Sequence, residues 1–281
     1  MFALAMTIVS HSLVIFAMRF TEAHNGNRYA ATVSTFVVCA IISFCMMDSH
    51  LLFQNNRDYY FALGMGIYNS VCMTMGMVIS RLSTGINGTP ISTTFNRLGI
   101  LIPTLFSVFV FGERPGILQM VGIALAVTSI IYINSGKGSM SQNHIQSMKL
   151  LLILLAVGGL IDLNTKIYER YGNPELNDYF VFVTFFFCIL VSLTIMLTQD
   201  RKFDKGAVMI GAMTGIPNTF ILYFSLKAVE KLPAYIVFPG CSAGVILLVN
   251  IVNLLVFKEE INKEEKRSTV LIAIALILIN I

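Results

Sequence analysis

The sequence predicts an all-α polytopic membrane protein, with ten transmembrane helices arranged as two inverted five-helix repeats. Three observations predict it. Hydrophobic residues make up 56% of the 281-residue chain and charged residues only 12%, about half the charged share of a soluble domain. The apolar residues gather in ten runs, most of them near the roughly 20 residues a spanning helix requires. The chain also repeats itself at an offset of 146 or 147 residues. Five spans per copy, an odd number, set the second copy upside down in the bilayer, an architecture recurrent among secondary transporters.

The spans read as 2–20, 29–47, 59–79, 86–111, 117–134, 149–167, 178–198, 206–226, 233–257 and 268–281. The first lacks a basic start and a small-residue cleavage site, so it reads as a permanent span rather than a leader. The polar connections are mostly short, which makes neighbouring spans antiparallel. SRLST separates spans three and four. GERPG separates four and five, where Gly112 and Pro115 break the helix and Glu113 and Arg114 mark a membrane surface. Inside span four, Pro103 removes a backbone donor and predicts a kink. The longest linker, SGKGSMSQNHIQSM over 135–148, divides a first repeat, 1–134, from a second, 149–281. The tenth run is short for a crossing.

Three segments carry the repetition. MRFTE, with Arg19 and Glu22, matches TKIYE, with Lys166 and Glu169. Phe111-Gly112-Glu113 matches Phe257-Lys258-Glu259, and GIALA (122–126) matches AIALI (273–277) at a longer offset, a few extra residues lying in the preceding loop.

Composition also narrows the function class. A net charge of +4 is ordinary for a membrane protein and gives no reason to expect a nucleic-acid partner. The cysteines all fall in apolar runs without a Cys-x-x-Cys pair, and they read as small buried hydrophobes rather than metal ligands or disulfides. There is no phosphate-binding loop, zinc motif or nucleophile elbow. Hence no cofactor, metal or catalytic residue is expected. Asn87-Gly88-Thr89 matches a glycosylation sequon at a helix entrance.

Polar side chains within the spans are therefore the candidates for function. A charge at the bilayer centre costs roughly 2.5–3.5 kcal/mol even on an insertion scale, so it faces a cavity or a partner. Arg97, beside Asn96, sits near the middle of span four. Its guanidinium suits a carboxylate or phosphate, or else a structural ion pair. Asp162, in span six, suits an ammonium group or a proton, or it simply neutralises Arg97. His11, central in span one, is the side chain type that titrates nearest neutrality. It and Asp162 are the candidates for proton coupling, with a packing histidine as the plain alternative. Tyr68 and Asn69 in span three, Asn218 and Tyr223 in span eight, and Asn250 in span nine either line a substrate path or hydrogen-bond between helices.

The motif of an internal Pro103, an apolar run, Phe111-Gly112-Glu113 and then Gly122 and Ala124 resembles the EamA-type members of the drug/metabolite transporter superfamily. Two weakly similar five-helix halves strengthen that resemblance over nearly the whole chain. MRFTE resembles the end of the first helix of the small multidrug resistance proteins, which puts His11 where those proteins carry an essential embedded acid. The resemblance implies a multi-pass transporter in the cell membrane, monomeric or homodimeric, with a small-molecule substrate and the lipid bilayer as partners. Cationic Arg97 and His11 with anionic Asp162 favour an amino acid or similar zwitterion, exported by alternating access. The rival readings are a drug or cation exporter, a nucleotide-sugar-type carrier, and a non-transporting structural subunit.

Overall fold

The structure is a computed structural model. It describes residues 1–23, 27–48, 56–87, 89–134, 147–199, 204–255, 267, 270, 271, 273–275, 277 and 278. Linker residues 135–146, Phe257-Lys258-Glu259 and half of 268–281 lie outside the described residues, as do the side chains of Arg19, Glu22 and Asn250. The regular elements are helices: α1 Phe2–Ala23, α2 Arg28–Met46, α3 Arg57–Asn87, α4 Thr89–Leu98, α5 Leu101–Phe109, α6 Ile117–Asn134, α7 Met148–Tyr171, α8 Asn177–Gln199, α9 Lys205–Lys231 and α10 Ala234–Leu255. Among the described residues there is no strand.

Among the described residues, five helices are long and apolar enough to cross a membrane, over Tyr29–Met46, Arg57–Ser80, Met148–Tyr171, Pro174–Gln199 and Lys205–Lys231. Four more stretches among them are apolar but shorter: Phe2–Ala17, Phe95–Phe109, Ile117–Ser129 and Ala234–Val249. The helical segments fall within a few residues of the expected spans, with two corrections. SRLST is not a connection, because α3 runs through it to Asn87. And span four is two helices, α4 and α5, divided at Gly99 and Ile100.

The second correction has a clear cause. Pro103 has no N–H to give the carbonyl four residues back, which belongs to Gly99. That carbonyl instead accepts from Ile102 N–H at 3.0 Å, while Gly99 N–H and Ile100 N–H bond to Asn96 O and Arg97 O at 3.2 and 3.4 Å. These are three-residue spacings, so the chain tightens into a 3-10 turn and restarts. Pro103 then stands in the first turn of α5, where its missing donor costs nothing. The expected kink at Pro103 is a break placed one turn earlier.

The chain clusters into two compact units. One comprises Met75–Leu163 and Lys231–Ile281 with Met1, and the other Phe2–Thr74 and Asn164–Glu230. The second therefore takes the opening part of the first sequence repeat and the middle of the second, and the first takes the closing part of both together with 149–163, where the second repeat opens.

In the Phe2–Thr74 and Asn164–Glu230 unit, α2 packs most extensively on α8. Ala30 and Val33 meet Met196, and Phe36 and Phe44 further along α2 meet Phe185 and Phe182, so the two helices run antiparallel. On its other side α2 meets α9 at Gly211 and Gly215, one turn apart. A Cβ at Gly211 would lie 2.2 Å from Ala31 O, and one at Gly215 would lie 2.7 Å from Thr35 O. That register is parallel. The close approach lets Ser34 Oγ and Thr35 Oγ1 donate to Val208 O and Gly211 O at 2.7 and 2.9 Å. Small residues bring helices together in this way where lipid supplies no hydrophobic drive. Tyr168 of α7 stacks on Phe180 at 3.9 Å and on Phe61 of α3. Flanking Tyr168 in sequence, Lys166 and Glu169, within the TKIYE repeat, form an ion pair at 2.9 Å.

In the other unit, α10 packs on α5 and α6, with Ala126, Tyr235, Ile236 and Ala243 forming an apolar cluster. The sequon residue Asn87 is fully buried. Its amide oxygen accepts from Ser147 N–H at 2.9 Å and its amide nitrogen donates to Ser147 O at 3.3 Å, which pins the start of α7. A side chain held this way is closed to glycosylation.

The Phe-Gly-Glu motif has a structural job in the same unit. Gly112 adopts φ +70°, a left-handed turn that glycine takes without strain. It lets Glu113 N–H reach back to Ser107 O at 3.1 Å. The Glu113 carboxylate then accepts from Ala234 N–H at 3.0 Å, on the first residue of α10. A carboxylate at a helix N-terminus satisfies an orphan donor and complements the helix dipole. Glu113→Ala is expected to cost about 1 kcal/mol, as a lost cap does, and Glu113→Gln less, read as a drop in unfolding temperature of the purified protein.

Candidate functional site

The site is built on the break. Arg97 lies in the last turn of α4, two residues before Gly99. The break rests on α7 at a pair of glycines. A Cβ on Gly99 would lie 2.8 Å from both Gly159 N and Leu155 O, and one on Gly159 would lie 2.6 Å from Gly99 O. The two backbones are thus in contact, with no side chain between them. Asp162 is three residues beyond Gly159 on α7, on the same helix face. Arg97 and Asp162 are both half-buried. Each feels the other's charge, and the Cys241 thiol of α10 sits within the field of both. Neither charge is tied by a hydrogen bond or direct ion pair among the described residues.

This arrangement has a chemical meaning. A half-buried guanidinium and a half-buried carboxylate that interact without locking together each keep donors or acceptors to offer. A ligand carrying both signs would satisfy them together. The broken helix adds backbone groups that a continuous helix would have used internally. The ninth apolar segment also carries a proline, Pro239 just before Gly240 and Cys241, but there α10 runs unbroken from Ala234 to Leu255.

The remaining candidates divide by unit. Asn96 stands beside Arg97 with an exposed side chain. Asn250 is helical in α10 of the same unit, but its side chain lies outside the described residues. His11, Tyr68, Asn69, Asn218 and Tyr223 belong to the other unit. There, His11 is half-buried and engaged by a partner. Asn218 donates to Cys39 Sγ at 3.5 Å, a bond between α9 and α2. Tyr223 meets Lys227 twice, through its hydroxyl and through its ring face, with Nζ 4.3 Å from the centroid. Asn69 is fully buried, and its amide oxygen has no partner. Asn164 of α7 shares that condition while donating to Met65 O of α3 at 3.3 Å. Tyr68 is 45% exposed.

Read from the sequence, Gly158 is a close-packing glycine and Cys241 a small buried hydrophobe, and neither is placed at a site. The first had a signal, a Gly-Gly pair shortly before a half-buried aspartate. The second had only its place after Pro239-Gly240. Among the described residues no group of three or more His, Cys, Asp or Glu side chains gathers.

Comparison with known proteins adds the fold. No family model matches the chain. An uncharacterized protein of Haemophilus influenzae is 25% identical over 239 residues, spanning 83% of this chain and 79% of its own. A solved crystal structure of a protein superposes over 99% of this chain and 94% of its own, with a TM-score of 0.78 and 12% identity. Such a likeness carries the fold alone, and the all-helical architecture is therefore one that a solved protein also adopts.

Proposed function

We propose that the chain is a secondary transporter of ten spans in two inverted repeats, an EamA-type member of the drug/metabolite transporter superfamily. It exports an amino acid or similar zwitterion across the cell membrane by alternating access. The observation that carries this reading is the break at Gly99. It lies two residues after Arg97, and its backbone rests on the glycine face of α7 that also bears Asp162. The substrate carboxylate takes the guanidinium, its ammonium group takes Asp162, and proton uptake at Asp162 or His11 supplies the drive.

The repeats support the architecture. α2 and α8 are the second spans of the two halves and pack antiparallel. α5 and α10 belong to the fourth spans of the two halves and also pack together. Contact between equivalent helices of the two halves is what a two-fold axis in the membrane plane produces.

The test is a thermal-shift screen of purified protein against amino acids, amines, nucleotide sugars and cationic drugs. Ligands that bind only the folded state raise its apparent stability. Zwitterionic amino acids are expected to raise the unfolding temperature. A shift with amines or cationic drugs alone would replace this reading with a cation exporter, and a shift with nucleotide sugars alone with a carrier of that class.

A further inference from the structure

We infer that Gly158 is a positioning residue that aims the Asn96 amide, and so sets the affinity of the site for a carboxylate-bearing zwitterion. The inference rests on the transport reading above. A Cβ at Gly158 would lie 2.7 Å from Asn96 Oδ1, 3.3 Å from its backbone oxygen and 3.8 Å from Cγ. The amide oxygen of Asn96 therefore lies against the bare α carbon of Gly158. The amide nitrogen is the end turned away from α7. That leaves two N–H donors on an exposed side chain, next in sequence to the guanidinium and three residues before the break. The backbone of Asn96 is already fixed, because its carbonyl accepts from Gly99 N–H at 3.2 Å. Only the side chain is left to be aimed, and Gly158 provides the surface that aims it.

The neighbouring glycine shows why this role is separate from packing. A Cβ at Gly159 meets the Gly99 carbonyl at 2.6 Å and Ile102 Cβ at 2.7 Å, both rigid parts of the facing segment. A Cβ at Gly158 meets first the movable end of one side chain. Alanine at 159 must push two helices apart, whereas alanine at 158 turns the Asn96 amide and asks the Asn96 backbone oxygen, at 3.3 Å, to give by only a few tenths of an ångström.

The experiment compares wild type with Gly158→Ala, Asn96→Ala and the double variant, in transport by reconstituted vesicles and in thermal unfolding. The probes are the neutral amino acids, tried in turn. Gly158→Ala is expected to raise KM about fivefold, the usual worth of one neutral hydrogen bond. Maximal rate and unfolding temperature stay close to wild type. Asn96→Ala is expected to do the same, and the double variant to be no worse than Asn96→Ala, because both changes remove one interaction. A wild-type KM for Gly158→Ala, or losses that add in the double variant, overturns the role of Gly158 and leaves the transport reading standing. A parallel fall of rate and unfolding temperature assigns Gly158 to packing and also overturns it. If the wild type moves no neutral amino acid, the transport reading falls and takes this inference with it.

Discussion

Alanine at Gly211 is expected to destabilise the protein by about 3 kcal/mol, the upper end of what overpacking a well-filled interior costs. The added Cβ would stand 2.2 Å from Ala31 O and 2.8 Å from Ala31 C and Cα, all backbone atoms of the facing helix. No rotamer change relieves that contact, so α2 and α9 must separate. Separation also lengthens the hydrogen bonds from Ser34 Oγ to Val208 O and from Thr35 Oγ1 to Gly211 O. Gly159→Ala is expected to behave alike in the other unit, against the Gly99 carbonyl. The control is Gly64→Ala in α3, where nothing lies within 4 Å of the new carbon. There the exchange should be neutral or stabilising by up to about 1 kcal/mol, since alanine is the better helix former. Unfolding temperatures in detergent decide the matter. An unchanged value for Gly211→Ala would mean that α2 and α9 are not in backbone contact in the folded protein.

These glycines also show what was legible in the sequence. Apolar runs locate the helices because hydrocarbon leaves no other way to satisfy the backbone, and α6 matches its expected span, 117–134, end to end. Ends were misjudged where polar residues are helix-compatible. SRLST looked like a turn, yet Ser83 is buried, its hydroxyl 2.8 Å from that of Ser92, and Asn87 binds Ser147. Those are partners distant in sequence, which a local pattern does not reveal. The break at Gly99 was hidden for a different reason. Proline marks the residue that lacks the donor, while the helix opens at the acceptor, four residues earlier. Nor does a repeat in the sequence say which segments cluster. Here one compact unit joins the opening of the first half to the middle of the second, and the other joins the closing parts of both with residues 149–163.

For the site, the side chain types were readable and their grouping was not. Charges inside apolar runs singled out Arg97 and Asp162, and the structure holds both in one unit with mutual electrostatic influence. Asn218, by contrast, looked identical in sequence to a lining residue but serves as a bond between helices. An asparagine in an apolar run signals that a partner is required and does not say whether it is protein or ligand.

On the proposed transport function, removing either charge of the Arg97 and Asp162 pair is expected to lower transport by about 30-fold or more, corresponding to ~2 kcal/mol of lost ligand interaction. The informative variant is the double replacement, Arg97→Gln with Asp162→Asn. If the two charges exist only to neutralise each other, each single change strands a half-buried charge, and the double change relieves it. Stability would then fall in the singles and recover in the double, with transport following stability. A ligand-binding pair behaves differently. The double variant is expected to be at least as stable as either single, because no charge is stranded, and yet to remain inactive, because both ends of the zwitterion have lost their partners. Stability and transport thus part company in one reading and travel together in the other. The absence of a direct ion pair between the two among the described residues favours the first outcome. A structural pair in a low-dielectric interior gains most by closing to contact, whereas a pair held apart leaves space for a ligand that carries both charges.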